Sequence, residues 1–127
     1  MIDFNQAKVA FLAKPEAMED YPFGPDTMVL KVMDKMFATL GTYKEHSSIN
    51  LKCDPDEALA LRDIFPSVIP GYHMNKKHWN TVFLDGTVPD GEILRMIDNS
   101  YALVVKSLTK AKRLHLELTY GSEKIYR

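Results

Sequence analysis

Residues 27–53 read TMVLKVMDKMFATLGTYKEHSSINLKC, and the fold is decided in this stretch. Met28, Leu30 and Val32 alternate with Val29, Lys31 and Met33, the period of two that a pleated strand imposes on its faces. Asp34-Lys35 then offers a tight turn, and Met36-Phe37-Ala38-Thr39-Leu40 returns antiparallel as a hairpin. A polar loop through Gly41, Lys44, Glu45 and His46 leads to a third strand, Ser48–Cys53. Asp54, Pro55 and Glu57 stop that strand and start a helix. Asp suits the cap, Pro the first turn and Glu the third position of a capping box. Ala58, Leu61 and Phe65 line this helix until Pro66 ends it.

Upstream, Asp3 and Gln6 can cap each other reciprocally at the start of a helix over residues 4–13. Phe4, Ala7, Phe11 and Leu12 share its face, and Pro15 cannot continue it. Two prolines and a glycine make Tyr21-Pro22-Phe23-Gly24-Pro25-Asp26 an irregular turn pinned by its aromatic rings. Downstream, Trp79, Thr81 and Phe83 alternate with Asn80, Val82 and Leu84, which predicts a strand before an Asp85-Gly86 turn. Ile93, Ile97, Tyr101, Val104, Val105 and Leu108 recur at helical spacing, so a long amphipathic helix is expected over Asp90–Leu108. In the tail, Leu114, Leu116 and Leu118 alternate with His115, Glu117 and Thr119, the pattern of an added edge strand. Three strands, a further strand and flanking helices give an α+β domain, an antiparallel sheet with helices packed mainly on one face.

The 127 residues fit one domain spanning 1–127, with 46% hydrophobic and 26% charged residues and no apolar run long enough to span a bilayer. No membrane partner is expected. The opening Met1-Ile2-Asp3-Phe4-Asn5-Gln6 has neither a basic segment nor an apolar core, so the sequence predicts a cytoplasmic protein. The single cysteine, Cys53, excludes an internal disulfide and the multi-cysteine zinc patterns. The net charge of −1 rules out a uniformly basic nucleic-acid coat. It conceals an asymmetry, however: residues 106–127 carry +4 and the remainder −5, so 109–127 reads as a basic C-terminal extension.

The segments Tyr21-Pro22-Phe23-Gly24-Pro25-Asp26, Lys35-Met36-Phe37-Ala38, Leu51-Lys52-Cys53-Asp54-Pro55, Pro70–Val82 and Ile97-Asp98-Asn99-Ser100-Tyr101 resemble, in order and spacing, the signature blocks of the MmcQ/YjbR family. The resemblance spans about residues 20–108. It implies a small bacterial cytoplasmic protein with a CyaY-like, double-wing fold, in a family described as DNA-binding. The fold is also that of frataxin-type proteins, but iron handling would need a dense acidic ridge at the first helix. That helix offers Asp3, Lys8 and Lys14, with Glu16, Glu19 and Asp20 only in the following loop.

Candidate chemistry centres on residues 70–84. Lys76 and Lys77 near a hairpin tip can meet phosphates, Asn75 and Asn80 offer amides, and His78 and Trp79 complete a basic and aromatic cluster in which Trp79 can stack on a base. Lys31, Lys35 and Lys52 on neighbouring strands or turns would widen the patch, as would Lys110, Lys112 and Arg113. DNA is therefore the leading expected partner. The alternative is a small-molecule- or protein-binding module in which Tyr72 and His73 form a pocket with the same loop and Tyr21 and Phe23 close over it. His73 and His78, with His46 or His115, lack the spacing of a zinc motif, so no metal or other cofactor is predicted. Cys53 with a histidine is the only nucleophile arrangement on offer. Without a phosphate loop, serine elbow or paired carboxylates, the sequence predicts no catalytic residue and no enzyme. A monomer or weak homo-oligomer is expected.

Overall fold

The structure is a computed structural model and describes residues 1–72 and 74–126. Its strands are β1 (Ala17–Asp20), β2 (Met28–Val32), β3 (Lys35–Tyr43), β4 (His46–Lys52), β5 (Val68–Pro70) and β6 (Trp79–Phe83). They form one antiparallel sheet in the order β1-β2-β3-β4-β6-β5. Its helices are α1 (Phe4–Leu12), α2 (Pro55–Ile64), α3 (Asp90–Lys106), α4 (Lys110–Tyr120) and α5 (Ser122–Ile125). The expected α+β architecture is therefore present.

Local chemistry accounts for most boundaries. Asp3 and Gln6 form the reciprocal capping box at α1, each side chain accepting from the other's backbone N–H. Asp54 caps α2 by accepting from the N–H groups of Asp56 and Glu57. The Glu57 carboxylate does not reach back to complete a box; it pairs with Arg95 of α3 at 2.6 Å.

The two hairpins of the central meander turn at positions other than those expected. Met33 and Asp34 have φ of 48° and 70°, and Lys44 and Glu45 have 49° and 68°, so each pair forms a two-residue turn with both residues left-handed. Such turns match the right-handed twist of the flanking strands, and that fit overrides the ordinary aversion of Met, Lys and Glu to positive φ. The first turn consequently precedes Lys35, and the stretch expected as a loop from Gly41 to His46 is strand except for Lys44-Glu45.

Three further differences have physical causes. β1, expected as loop, is an edge strand with only Ala17 partly buried, so it carries no alternation to detect. β5 is three residues long and ends on a proline, below the length at which periodicity is visible. The tail leucines lie on a helix: the Thr109 hydroxyl accepts from the Lys112 N–H, and strong helix formers follow. On α4 Leu116 is fully buried while Leu118 is 83% exposed, as two positions 200° apart on a helix must be.

The apolar face of the sheet, including Leu30, Ala38, Leu40, Ile49, Leu51 and Val82, joins side chains from all five helices in one core. Ser100 fastens the long helix to the sheet, its hydroxyl donating to the Phe37 carbonyl and accepting from the Lys52 N–H. Beside it the Tyr101 ring meets Phe37 edge-on at 5.2 Å, and its hydroxyl donates to the Pro15 carbonyl. The Ile97–Tyr101 signature thus holds helix to sheet. No helix among the described residues is long and apolar enough to cross a membrane.

Candidate functional site

With the helices occupying one face, side chains of opposite parity are left on the other. The register aligns Asp20, Val29, Thr39, Asn50, Thr81 and Ile69 in one row across all six strands. At its centre the Tyr72 N–H donates to Thr81 Oγ1 at 2.9 Å, the Thr81 hydroxyl donates to Asn50 Oδ1, and Asn50 Nδ2 donates to Thr39 Oγ1 at 2.8 Å. This chain floors a cavity of about 500 Å³. Its walls carry the rings of Phe23, Tyr43 and Tyr72 and the thioethers of Met36 and Met74, with the Ser48 hydroxyl beside the floor. Among the described residues, the lining contains no Asp, Glu, Lys, Arg, His or Cys.

Two close approaches shape the walls. A side chain at position 41 would meet the Asp26 carbonyl at 3.3 Å, so glycine there lets the segment bearing Phe23 lie close over the sheet. At Gly71 a Cβ would come within 2.8 Å of Trp79 Cβ and 2.9 Å of Met74 Cβ, so only glycine lets the β5–β6 connection fold tightly enough to present Tyr72 and Met74. Arg62 holds this connection from α2. Its Nε donates to Asn80 Oδ1 at 2.6 Å, and Nη2 donates to the carbonyls of Lys76 and Trp79. Tyr43 and Tyr72 close one side with ring centroids 4.3 Å apart.

The pocket residues expected from sequence are partly brought together. Tyr72 and Phe23 line the cavity, whereas the Tyr21 hydroxyl donates to Glu19 on β1 at 2.6 Å and is not part of the lining. His73 lies outside the described residues.

The proposed basic cluster is more dispersed. Asn80 points into the core, 2% exposed and engaged by Arg62. Asn75 caps its own turn by accepting from the Lys77 N–H. The Lys76 ammonium donates to the Gly71 carbonyl, Lys31 pairs with Asp20 at 2.8 Å, and Lys35 donates to Ser107 at the end of α3. Lys52 stands directly opposite Trp79 in the β4–β6 pairing, and His78 precedes it. On α4, His115 pairs with Glu16 at the β1 end of the sheet, whereas Lys76 and Lys77 follow β5 at the other end. Five strand spacings separate those edges, about 24 Å, so the tail cations and the hairpin lysines do not form one patch.

Cys53 is buried, and burial, reinforced by the Glu57 and Asp54 charges, pushes its thiol up to about 11. Among the described residues no group of three or more His, Cys, Asp or Glu could hold a metal ion.

Sequence reasoning did not single out Thr39, Asn50, Thr81, Ser48 or Arg62. A trace was present: Ser48 and Asn50 are polar positions alternating with Ile49 and Leu51, which assigns them to the second sheet face. Their meeting with Thr39 and Thr81 depends on strand register.

The fold and site together define an α+β domain built on one antiparallel sheet, with a recessed site, lined among the described residues by aromatic, thioether and uncharged polar side chains, on the face opposite its helices. A family model, YjbR, matches residues 12–103, and the chain belongs to the YjbR family. It is 40% identical over 90 residues to the protein YbdF from Escherichia coli, covering 71% of this chain and 74% of that one. It is 36% identical over 102 residues to YjbR from Escherichia coli, covering 80% and 86%. Among solved structures, Deinococcus radiodurans protein DR2400, a DUF419 domain, superposes with a TM-score of 0.83 at 38% identity over 91% of this chain and 88% of that one. A Pseudomonas syringae protein superposes at 0.71, with 31% identity over 80% of this chain and 98% of that one.

Proposed function

We propose that this protein is a non-catalytic binding module that seats a small, uncharged organic molecule on the open face of its sheet. It would work in the cytoplasm as a monomer or weak homo-oligomer. The supporting observation is the cavity itself: about 500 Å³, walled by rings and thioethers and floored by hydroxyls and an amide. That size and mixture are typical of ligand sites, in which apolar walls supply affinity and a few polar groups fix orientation. The high thiol pKa of buried Cys53 argues against nucleophilic catalysis by that thiol.

A library of planar aromatic fragments followed by two-dimensional amide NMR tests this reading. Binding should shift Thr39, Asn50, Thr81 and Tyr72 together, and Tyr72→Ala should weaken the best hit about tenfold by removing an aromatic wall. Hits that cluster elsewhere, or a Tyr72→Ala variant with undiminished affinity, would refute it.

A second reading, DNA binding with the β5–β6 hairpin as a wing, is favoured by two observations. Lys52 faces Trp79 across the strands, and the Lys77 ammonium makes no ion pair or hydrogen bond among the described residues. On this reading, labelled duplex and single-stranded DNA bind with an affinity that falls with salt. Lys76→Ala with Lys77→Ala weakens binding and makes the salt slope shallower by about one to two units. No binding at low salt removes the reading.

A further inference from the structure

We infer that the open-face site recognises a planar, uncharged ring bearing a hydrogen-bond acceptor, a ring nitrogen or a carbonyl, and that the Thr39 hydroxyl is the donor that reads it. The inference rests on the proposed open-face site and specifies its ligand class. The polarity of the floor follows from one group whose role is fixed, because the backbone N–H of Tyr72 can only donate. It donates to Thr81 Oγ1. Thr81 is 1% exposed, and its own hydrogen needs an acceptor, which Asn50 Oδ1 supplies. A carboxamide with its oxygen on one side has its nitrogen on the other, so Asn50 donates to Thr39 Oγ1. Thr39 has thus accepted a bond and keeps its hydrogen to give, with no acceptor among the described residues.

The relay therefore runs in one direction and ends in a donor. Asn50 has a second N–H beyond the one used on Thr39, which adds to the donor character of the floor. Ser48, on the same face and only 6% exposed, makes no side-chain hydrogen bond among the described residues and lines the same cavity. Both hydroxyls border the open cavity, where a ligand acceptor would take the place of solvent. Charge selectivity comes from the described lining residues, which offer neither a cation for an anion nor a carboxylate for a cation. The rings of Tyr43 and Tyr72, with Met36 and Met74, favour a flat apolar body through stacking and sulfur–ring contact.

Quinoline, naphthalene and indole make a matched set of probes: similar flat bicycles that respectively accept, lack or donate a hydrogen bond. Dissociation constants come from amide NMR titrations of the full chain at pH 7.5. Quinoline should bind about three- to tenfold more tightly than naphthalene, the difference one net hydrogen bond makes, and indole no better than naphthalene. Thr39→Val should abolish the quinoline-over-naphthalene preference, the two probes then binding with equal affinity, and Thr39→Ser, which keeps the hydroxyl, should retain the preference. Thermal melting of both variants verifies folding. Naphthalene or indole binding as tightly as quinoline on the open face overturns the donor assignment while leaving the site intact. A quinoline preference that persists in folded Thr39→Val also overturns it. If none of the three shifts the open-face residues, both the assignment and the site reading fail.

Discussion

Cys53 follows β4 and immediately precedes the Asp54 cap of α2, where helix-terminal amides would ordinarily favour a thiolate. Burial and the neighbouring carboxylates outweigh that effect and raise the thiol from its ordinary 9.0 to about 11. Because the folded state then holds its proton more tightly than the unfolded chain, this group's contribution to stability is intact below pH 9.0 and is lost as the pH rises toward about 11. At neutral pH the native chain should contain about a hundredfold less thiolate than the unfolded chain, so iodoacetamide should label Cys53 correspondingly more slowly in buffer than in urea. Equal rates in the two states would instead identify an accessible, activated nucleophile and revive an enzymatic reading. The same local logic explains what sequence could and could not reveal about the site. The ring chemistry of Tyr72 and Phe23 is visible in isolation, and both line the cavity. Thr39, Asn50 and Thr81 are ordinary strand residues until β3, β4 and β6 align them, a property of non-local pairing.

Among the elements, helices with caps or strong periodicity were the most legible: α1 carries its capping box, α2 its Asp54 cap, and α3 a long apolar stripe. Edge strands were the least legible, because β1 buries little and β5 is short. The tail shows why alternation over three leucines is a weak signal. In an edge strand Leu114, Leu116 and Leu118 would share one face and contribute alike, whereas α4 buries Leu116 fully and leaves Leu118 83% exposed. Leu116→Ala should therefore cost about 2–5 kcal/mol as a buried cavity forms, while Leu118→Ala should stay within about 0.5 kcal/mol. Urea denaturation of the two variants measures both costs. Similar losses at the two positions would contradict the helix and restore a strand.

Across the whole molecule, the near-neutral total still divides into a +4 tail and a −5 remainder, but the tail is structurally part of the fold. His115 pairs with Glu16 at the β1 edge, the Lys106 ammonium lies 5.6 Å from the Tyr126 ring centroid, and Leu116 and Ile125 are fully buried in the shared core. Each of those two apolar side chains is worth about 1.5–3 kcal/mol of burial, too much for the tail to detach without cost to the rest. A single core drawn from every helix implies a single cooperative transition. Two probes at different places can check this. Trp79, the only tryptophan, reports on β6, whereas far-UV circular dichroism reports on the helices, including α4 and α5. Their urea unfolding curves should coincide for the full chain, and a chain ending at Leu108 should lose stability as seen by both. If ellipticity falls before Trp79 fluorescence changes, and truncation leaves the fluorescence midpoint unmoved, then the tail is an independent appendage and its cations are free to act apart from the sheet.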